Sequence, residues 1–102
     1  MILIYTTVGT KEQYESIANT LLDERLIACV NSWPIESKFV WKGKLQNYQE
    51  TAMLLKTTDS CQEAVYHRLY ELHPYDCPAI ITLTPTEANP AFVHWINAST
   101  DH

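Results

Sequence analysis

Residues 2–7 (Ile-Leu-Ile-Tyr-Thr-Thr) form a short unbroken run of β-branched and apolar residues, the pattern of a strand covered on both faces. After Val8-Gly9 the period changes. Thr10-Lys11-Glu12-Gln13 has the form of a capping box, and Tyr14, Ile17, Ala18, Leu21 and Leu22 recur at helical spacing, which predicts a helix with one apolar stripe. A second strand starts over residues 27–30, breaks at Pro34, whose missing N–H implies a bulge or a sheet edge, and resumes at Ser37. Phe39 and Trp41 then alternate with polar neighbours, Lys42-Gly43 supplies a turn, and a returning strand runs through Glu50 to Thr57. The product is an unusually long hairpin.

Ser60 with Glu63 offers another capping box, followed by Ala64, Val65, Leu69 and Leu72 on one helical face until Pro74 forbids continuation. Residues 78–83 are again a β-branched apolar run, closed by Pro85. Asn89-Pro90 then sets an N-cap before proline at N1 for a short last helix carrying Phe92, Val93 and Ile96. The order βαββαβ, then α, is the ferredoxin-like arrangement of the α+β class: a four-stranded antiparallel sheet with two long helices on one face. The long hairpin exceeds that plan. Its Trp33, Phe39, Trp41 and Tyr48 would meet water in a lone subunit, together with an unpaired strand edge, and pairing with another subunit would cover both.

Length and composition agree with one domain spanning residues 1–102, since 46% apolar residues suffice for a single packed core and the two glycines leave no flexible linker. A chain this short buries only about two thirds of its unfolded surface, which again favours self-association. The formal charge of −5 repels phosphate backbones and anionic lipid, with no basic run to offset it, so nucleic acid is not an expected partner. The basic and aromatic surface motif by which ferredoxin-like domains bind RNA is also missing. Met1-Ile2-Leu3-Ile4-Tyr5 lacks the positive start of a signal peptide, and no apolar run approaches a membrane span. Cys29, Cys61 and Cys77, an odd number without framework spacing, read as reduced thiols of a cytoplasmic protein.

Five segments in order carry a family resemblance: Ala28-Cys29-Val30-Asn31, the hairpin from Ser37 through Trp41 to Gly43-Lys44, Glu50 with Met53-Leu54-Leu55-Lys56-Thr57, His73-Pro74-Tyr75-Asp76, and Trp95. Together they resemble the divalent-cation tolerance protein CutA family over essentially the whole chain. The resemblance implies a homotrimer of ferredoxin-like subunits joined through the long hairpin, similar in architecture to PII signalling proteins. It also implies tolerance of copper and other divalent metals, without an established enzymatic activity or a required cofactor. Three positions depart from the family pattern. Pro78-Ala79 stands where many relatives have proline and glutamate, and Tyr5 and Leu72 stand where some bacterial members have cysteine and histidine; of that set only His73 remains.

His73 is the foremost metal candidate: an imidazole suits Cu(II) or Zn(II), and its place at a helix end before Pro74 predicts an accessible ring, the alternative being a capping or solvated histidine. Cys29 offers a soft sulfur for Cu(I), weighed against a buried, inert thiol on an apolar strand. Cys61 and Cys77 have no better claim, and His94 and His102 read as solvent-facing. No Cys-x-x-Cys or His-x-x-x-His spacing occurs, so a metal shell would have to be completed by neighbouring chains. A second candidate is an inter-subunit cleft for an unknown small effector, lined by Trp41, Glu50, Lys56, Tyr75, Asp76 and Trp95, aromatic walls with a few charged groups. The structural alternative there is interface core, with Glu50 and Lys56 paired across the boundary. No nucleophile elbow, phosphate loop or metalloprotease motif is present, and no enzyme is expected.

Overall fold

The computed structural model describes residues 1–100, so His102 lies outside the described residues. The elements run β1 (Ile2–Val8), α1 (Lys11–Asp23), β2 (Cys29–Trp41), β3 (Lys44–Thr57), α2 (Gln62–Leu72), β4 (Ile80–Leu83) and α3 (Pro90–Ser99). The sheet order is β2-β3-β1-β4 with every pairing antiparallel, the ferredoxin-like topology. Helices α1 and α2 cover one face: Ile17, Ala18 and Leu21 from α1 and Val65 and Leu69 from α2 pack on Ile2, Ile4, Val8, Met53 and Leu55 of the central strands. Because the helices lie on one side only, β1 alternates between buried and half-buried residues, where the sequence implied cover on both faces.

Local chemistry explains where the elements start and stop. Thr10 caps α1 by accepting the Gln13 amide N–H at 3.1 Å, and the Gln13 side chain reaches back to accept the Gly9 amide at 2.9 Å. The helix ends in a Schellman pattern, Leu26 N–H to the Leu21 carbonyl and Arg25 N–H to that of Leu22, with Arg25 in the left-handed region at φ 58°. The Arg25 guanidinium donates onward to the Ala98 carbonyl at 3.2 Å, tying the end of α3 to the end of α1. The second capping box does not form at Ser60 and Glu63. Instead Thr58 caps a 3-10 turn, Asp59–Cys61, that feeds α2, because its hydroxyl lies two residues earlier and accepts the Cys61 amide at 3.3 Å. Ala64 lies exposed beside the buried Val65, and the last strand begins at Ile80 rather than Pro78.

The hairpin is one continuous ladder from Cys29 opposite Lys56 to Trp41 opposite Lys44. Pro34 does not interrupt β2, because β2 is the edge strand and a residue lacking an N–H costs nothing on the side that faces solvent. Lys42 at φ 51° and Gly43 at φ 76° close the hairpin with two positive-φ residues, the type I′ geometry whose twist matches that of the strands. β1 pairs with β3 only from Thr51 to Thr57. Residues 44–50 of β3 and their β2 partners therefore project past the helix-covered sheet, by about 23 Å at the usual rise per strand residue, and draw the subunit out to 46 Å along its long axis.

Strand pairing places Trp33, Phe39, Trp41, Tyr48, Ile81 and Leu83 on the sheet face opposite the helices, since directly opposed residues share a face and alternate residues return to it. All six are exposed, from 41% at Trp33 to 59% at Trp41, so this face carries a contiguous apolar surface that the subunit itself does not cover.

Candidate functional site

The loop after α2 is held across the end of β1 by His73. Its backbone is extended, turning the chain out of the helix, and its ring enters beneath β1 with Nε2 2.8 Å from the Thr7 carbonyl oxygen and 3.2 Å from the Thr6 hydroxyl. Nδ1 accepts the Tyr75 amide N–H at 3.1 Å. An amide can only donate, so Nδ1 carries no proton, and the proton sits on Nε2 and is donated to Thr7. Burial holds the imidazole below its ordinary value near 6.5, against the opposing pull of the Thr7 carbonyl and the Glu50 charge. His73 is only 8% exposed. The expected accessible ring is thus corrected: the helix end that was to present it to solvent instead folds it under the sheet, with both nitrogens already engaged.

Tyr75, aimed by that hydrogen bond and packed 4.8 Å from the His73 ring, donates its hydroxyl to Glu50 Oε1 at 2.6 Å. Thr7 adds a long second donor to the same oxygen at 3.4 Å. Burial, then the bond to Glu50 and its charge, push the Tyr75 phenol above the ordinary tyrosine range, so it remains a donor at any physiological pH. Glu50 lines a pocket of about 380 Å³ together with Phe39, Tyr48, Gln49 and Tyr75. Phe39 and Tyr48 lean together with ring centres 5.8 Å apart. Gly9 closes one side, where an added Cβ would stand 3.6 Å from the Tyr75 oxygen and 3.2 Å from Gln13 Oε1. Trp41 and Asp76 line an adjoining groove with Phe39 and Tyr75.

The other predicted cleft residues gather elsewhere. Lys56 Nζ lies 5.5 Å from the centre of the Phe92 ring, on which Trp95 stacks at 5.8 Å. Trp95 and Cys29 share a groove with Tyr14 and Leu22 of α1. Glu50 and Lys56 both lie on β3, six residues and so about 20 Å apart, and do not pair within a subunit. Of the six cleft residues, then, one subunit brings Trp41, Glu50, Tyr75 and Asp76 together and holds Lys56 and Trp95 apart.

The thiols and remaining histidines also find definite places. Cys29 is half-buried at a groove, not sealed in an apolar strand; the sealed thiol is Cys61, and Cys77 is exposed. Cys29 aligns through Lys56 with Leu3, three residues from Thr6 and two strands away from β1. At about 10 Å in each direction, it cannot share a cation with His73 of the same subunit. His94 faces solvent as expected. Among the described residues no three His, Cys, Asp or Glu side chains converge on a metal position. Where the family pattern is broken, Tyr5 pairs with Leu54 and Ile81 in the sheet, Leu72 packs against the core, and Ala79 is exposed.

Sequence reasoning missed Thr7 and Gly9 as parts of this site, and took Phe39 and Tyr48 as exposed aromatics without seeing them as pocket walls. Strand parity held the signal for two of them: Tyr48 lies two residues from Glu50, and Phe39 lies four from Ile35, which is paired with Glu50.

Comparison with known proteins bears on the whole chain. Residues 2–99 match the family described as CutA1 divalent ion tolerance protein. The chain is 40% identical over 96 residues to the divalent-cation tolerance protein CutA of Pyrococcus horikoshii, covering 94% of each chain. It is 38% identical over 99 residues to the protein of the same name from Thermotoga maritima, covering 97% of this chain and 98% of that one. The crystal structure of CutA1 from Pyrococcus horikoshii superposes with a TM-score of 0.96 at 37% identity, each chain covered completely.

Proposed function

We propose a function from one premise: the chain belongs to the CutA1 divalent ion tolerance family. On that footing it works as a cytoplasmic homotrimer that takes up divalent cations, copper foremost, and catalyses no reaction. The observation that carries the assembly is the uncovered apolar face running from the hairpin tip to β4, with Trp41 59% and Phe39 42% exposed. A three-fold arrangement buries that face and presents each ligand residue three times, so that donors too far apart within one subunit meet between subunits. Cys29, half-buried at a groove, supplies a soft donor. His73 supplies a nitrogen only after the Tyr75 amide releases Nδ1, and otherwise orients Tyr75.

Native mass spectrometry after exposure to equimolar Cu(II) and removal of loose metal tests both parts at once. The expected species is a trimer with a fixed number of coppers that falls in Cys29→Ala or His73→Ala. A metal-free trimer sinks the cation part, and a monomer sinks the assembly.

A second reading has its own support. The Glu50 pocket, with three aromatic rings, one carboxylate and the Gln49 amide, suits a small effector of a PII-like signalling trimer. Thermal-shift screening against metabolites would then find a stabilising ligand whose effect is lost in Phe39→Ala, with Trp41→Ala reporting on the adjoining groove.

A further inference from the structure

We infer that Glu50 pairs with Lys56 of a second copy of the chain, so that each contact in the homotrimer is completed by one ion pair that a lone subunit cannot form. This rests on the homotrimer reading and names the contact that fixes its geometry. Tyr48, Glu50, Ala52, Leu54 and Lys56 alternate along β3 and therefore share the sheet face that the subunit leaves uncovered. Both donors to Glu50, the Tyr75 and Thr7 hydroxyls, are neutral and both use Oε1. Among the described residues no lysine or arginine forms an ion pair with Glu50. No carboxylate there forms one with Lys56, whose Nζ lies over the Phe92 ring. Both residues are half-buried in the lone subunit. Covering this face with a neighbour removes more water from each, and a buried charge without a partner is costly.

Elimination identifies the cation. The chain has seven Lys and Arg residues. Arg68 is bound to Glu24 and Glu71, and Arg25 donates to the Ala98 carbonyl. Lys11 belongs to α1, on the covered side of the sheet, and Lys38, one residue from Phe39, faces that side as well. Lys42 sits in the turn with Nζ 6.0 Å from the centre of the Trp41 ring. Lys44 and Lys56 remain on the face of Glu50. Lys44 is exposed at the hairpin tip, where water solvates its charge. Lys56 is half-buried and already placed over a ring, so it gives up less freedom and less hydration on pairing. A three-fold ring joins unlike patches of neighbouring subunits, because each of its contacts is heterologous. The two ends of this stretch of β3 are unlike in that sense: one carboxylate and one ammonium on a single face, too far apart to meet within a subunit. The pair and a free effector therefore compete for one carboxylate.

The test is fluorescence-detected sedimentation velocity of charge-exchanged chains across a dilution series, with circular dichroism to confirm folding. Glu50→Lys and Lys56→Glu each set like charges against one another at every contact. Each should raise the concentration at which the trimer half-dissociates by about a hundred-fold or more. The double exchange, Glu50→Lys with Lys56→Glu in one chain, restores opposite charges and should return that concentration to within about ten-fold of the wild type. Glu50→Lys with Lys44→Glu should not. Should a reversal misfold, Glu50→Gln and Lys56→Gln decide: each alone weakens the trimer, and the two together weaken it no further than the worse of them. Single exchanges without effect, a double exchange no better than the singles, or rescue by Lys44→Glu overturns the proposal. A wild-type trimer that tolerates every exchange sinks the ion pair alone, whereas a wild-type monomer sinks the homotrimer reading and the pair with it.

Discussion

The same two strands, β2 and β3, behave differently at their two ends. Near the helices, Ala52, Met53 and Leu55 are fully buried, and the threonine hydroxyls that share the interior find partners, Thr57 donating to the Leu26 carbonyl at 2.6 Å. At the hairpin end the backbone ladder continues without a break, yet Val40 and Leu45 are 68% and 72% exposed. Hydrogen bonding sets the register at both ends, and burial supplies stability at only one. The contrast teaches that the hairpin owes its shape to its turn and its strand pairing, while its apolar residues serve whatever comes to cover them.

The largest effect expected from testing that contrast is at Leu69, completely buried between α2 and the sheet: Leu69→Ala should cost about 2–5 kcal/mol in chemical denaturation. Leu45→Ala, the same chemical change at the hairpin end, should stay within about 0.5 kcal/mol for the isolated subunit. Equal losses would show that the two ends form one cooperative core. His73 marks the boundary. Its folded-state pKa lies below the unfolded value near 6.5, so the unfolded chain binds the extra proton and stability falls as pH drops below about 6.5, levelling once the folded ring also titrates. His73→Gln, which retains an acceptor and a donor but cannot titrate, should flatten that slope in denaturation curves measured between pH 7.5 and 5. A smaller effect belongs to the tip. Gly43→Ala at φ 76° should lower hairpin stability by about 1 kcal/mol. Lys42→Asn, a residue that tolerates positive φ better, should raise it by a few tenths of a kcal/mol. Amide exchange confined to residues 35–50 would show both; a change spread over β1 and β4 would contradict the separation of the two ends.

The elements that periodicity marks were legible in the sequence: the α1 stripe with its Thr10 cap, apart from the exposed Leu22, the Lys42-Gly43 turn and the order of strands all recur in the structure. What sequence could not supply was direction in space. His73 reads as exposed because Pro74 ends a helix there, and only the path of the chain back over β1 buries it. Glu50 and Lys56 look like cleft neighbours by residue type, and the rise of a straight strand separates them. Pro34 reads as a bulge or a sheet edge, and the sheet order decides for the edge, with no break in the strand. Thr58 outcompetes Ser60 as a cap through the geometry of a 3-10 turn that no apolar spacing encodes.

The position of β1 in the sheet bears on how the chain acquires its fold. β1 precedes every other strand in the sequence yet lies between β3 and β4, its register set by Thr51–Thr57 on one side and Ile80–Leu83 on the other. During synthesis this apolar strand leaves the ribosome long before either partner exists, while the hairpin can zip locally from its turn as soon as β3 emerges. The central strand is therefore the last to be flanked on both sides, and the interval before β4 docks is when the nascent chain is most prone to stick to its neighbours on the polysome.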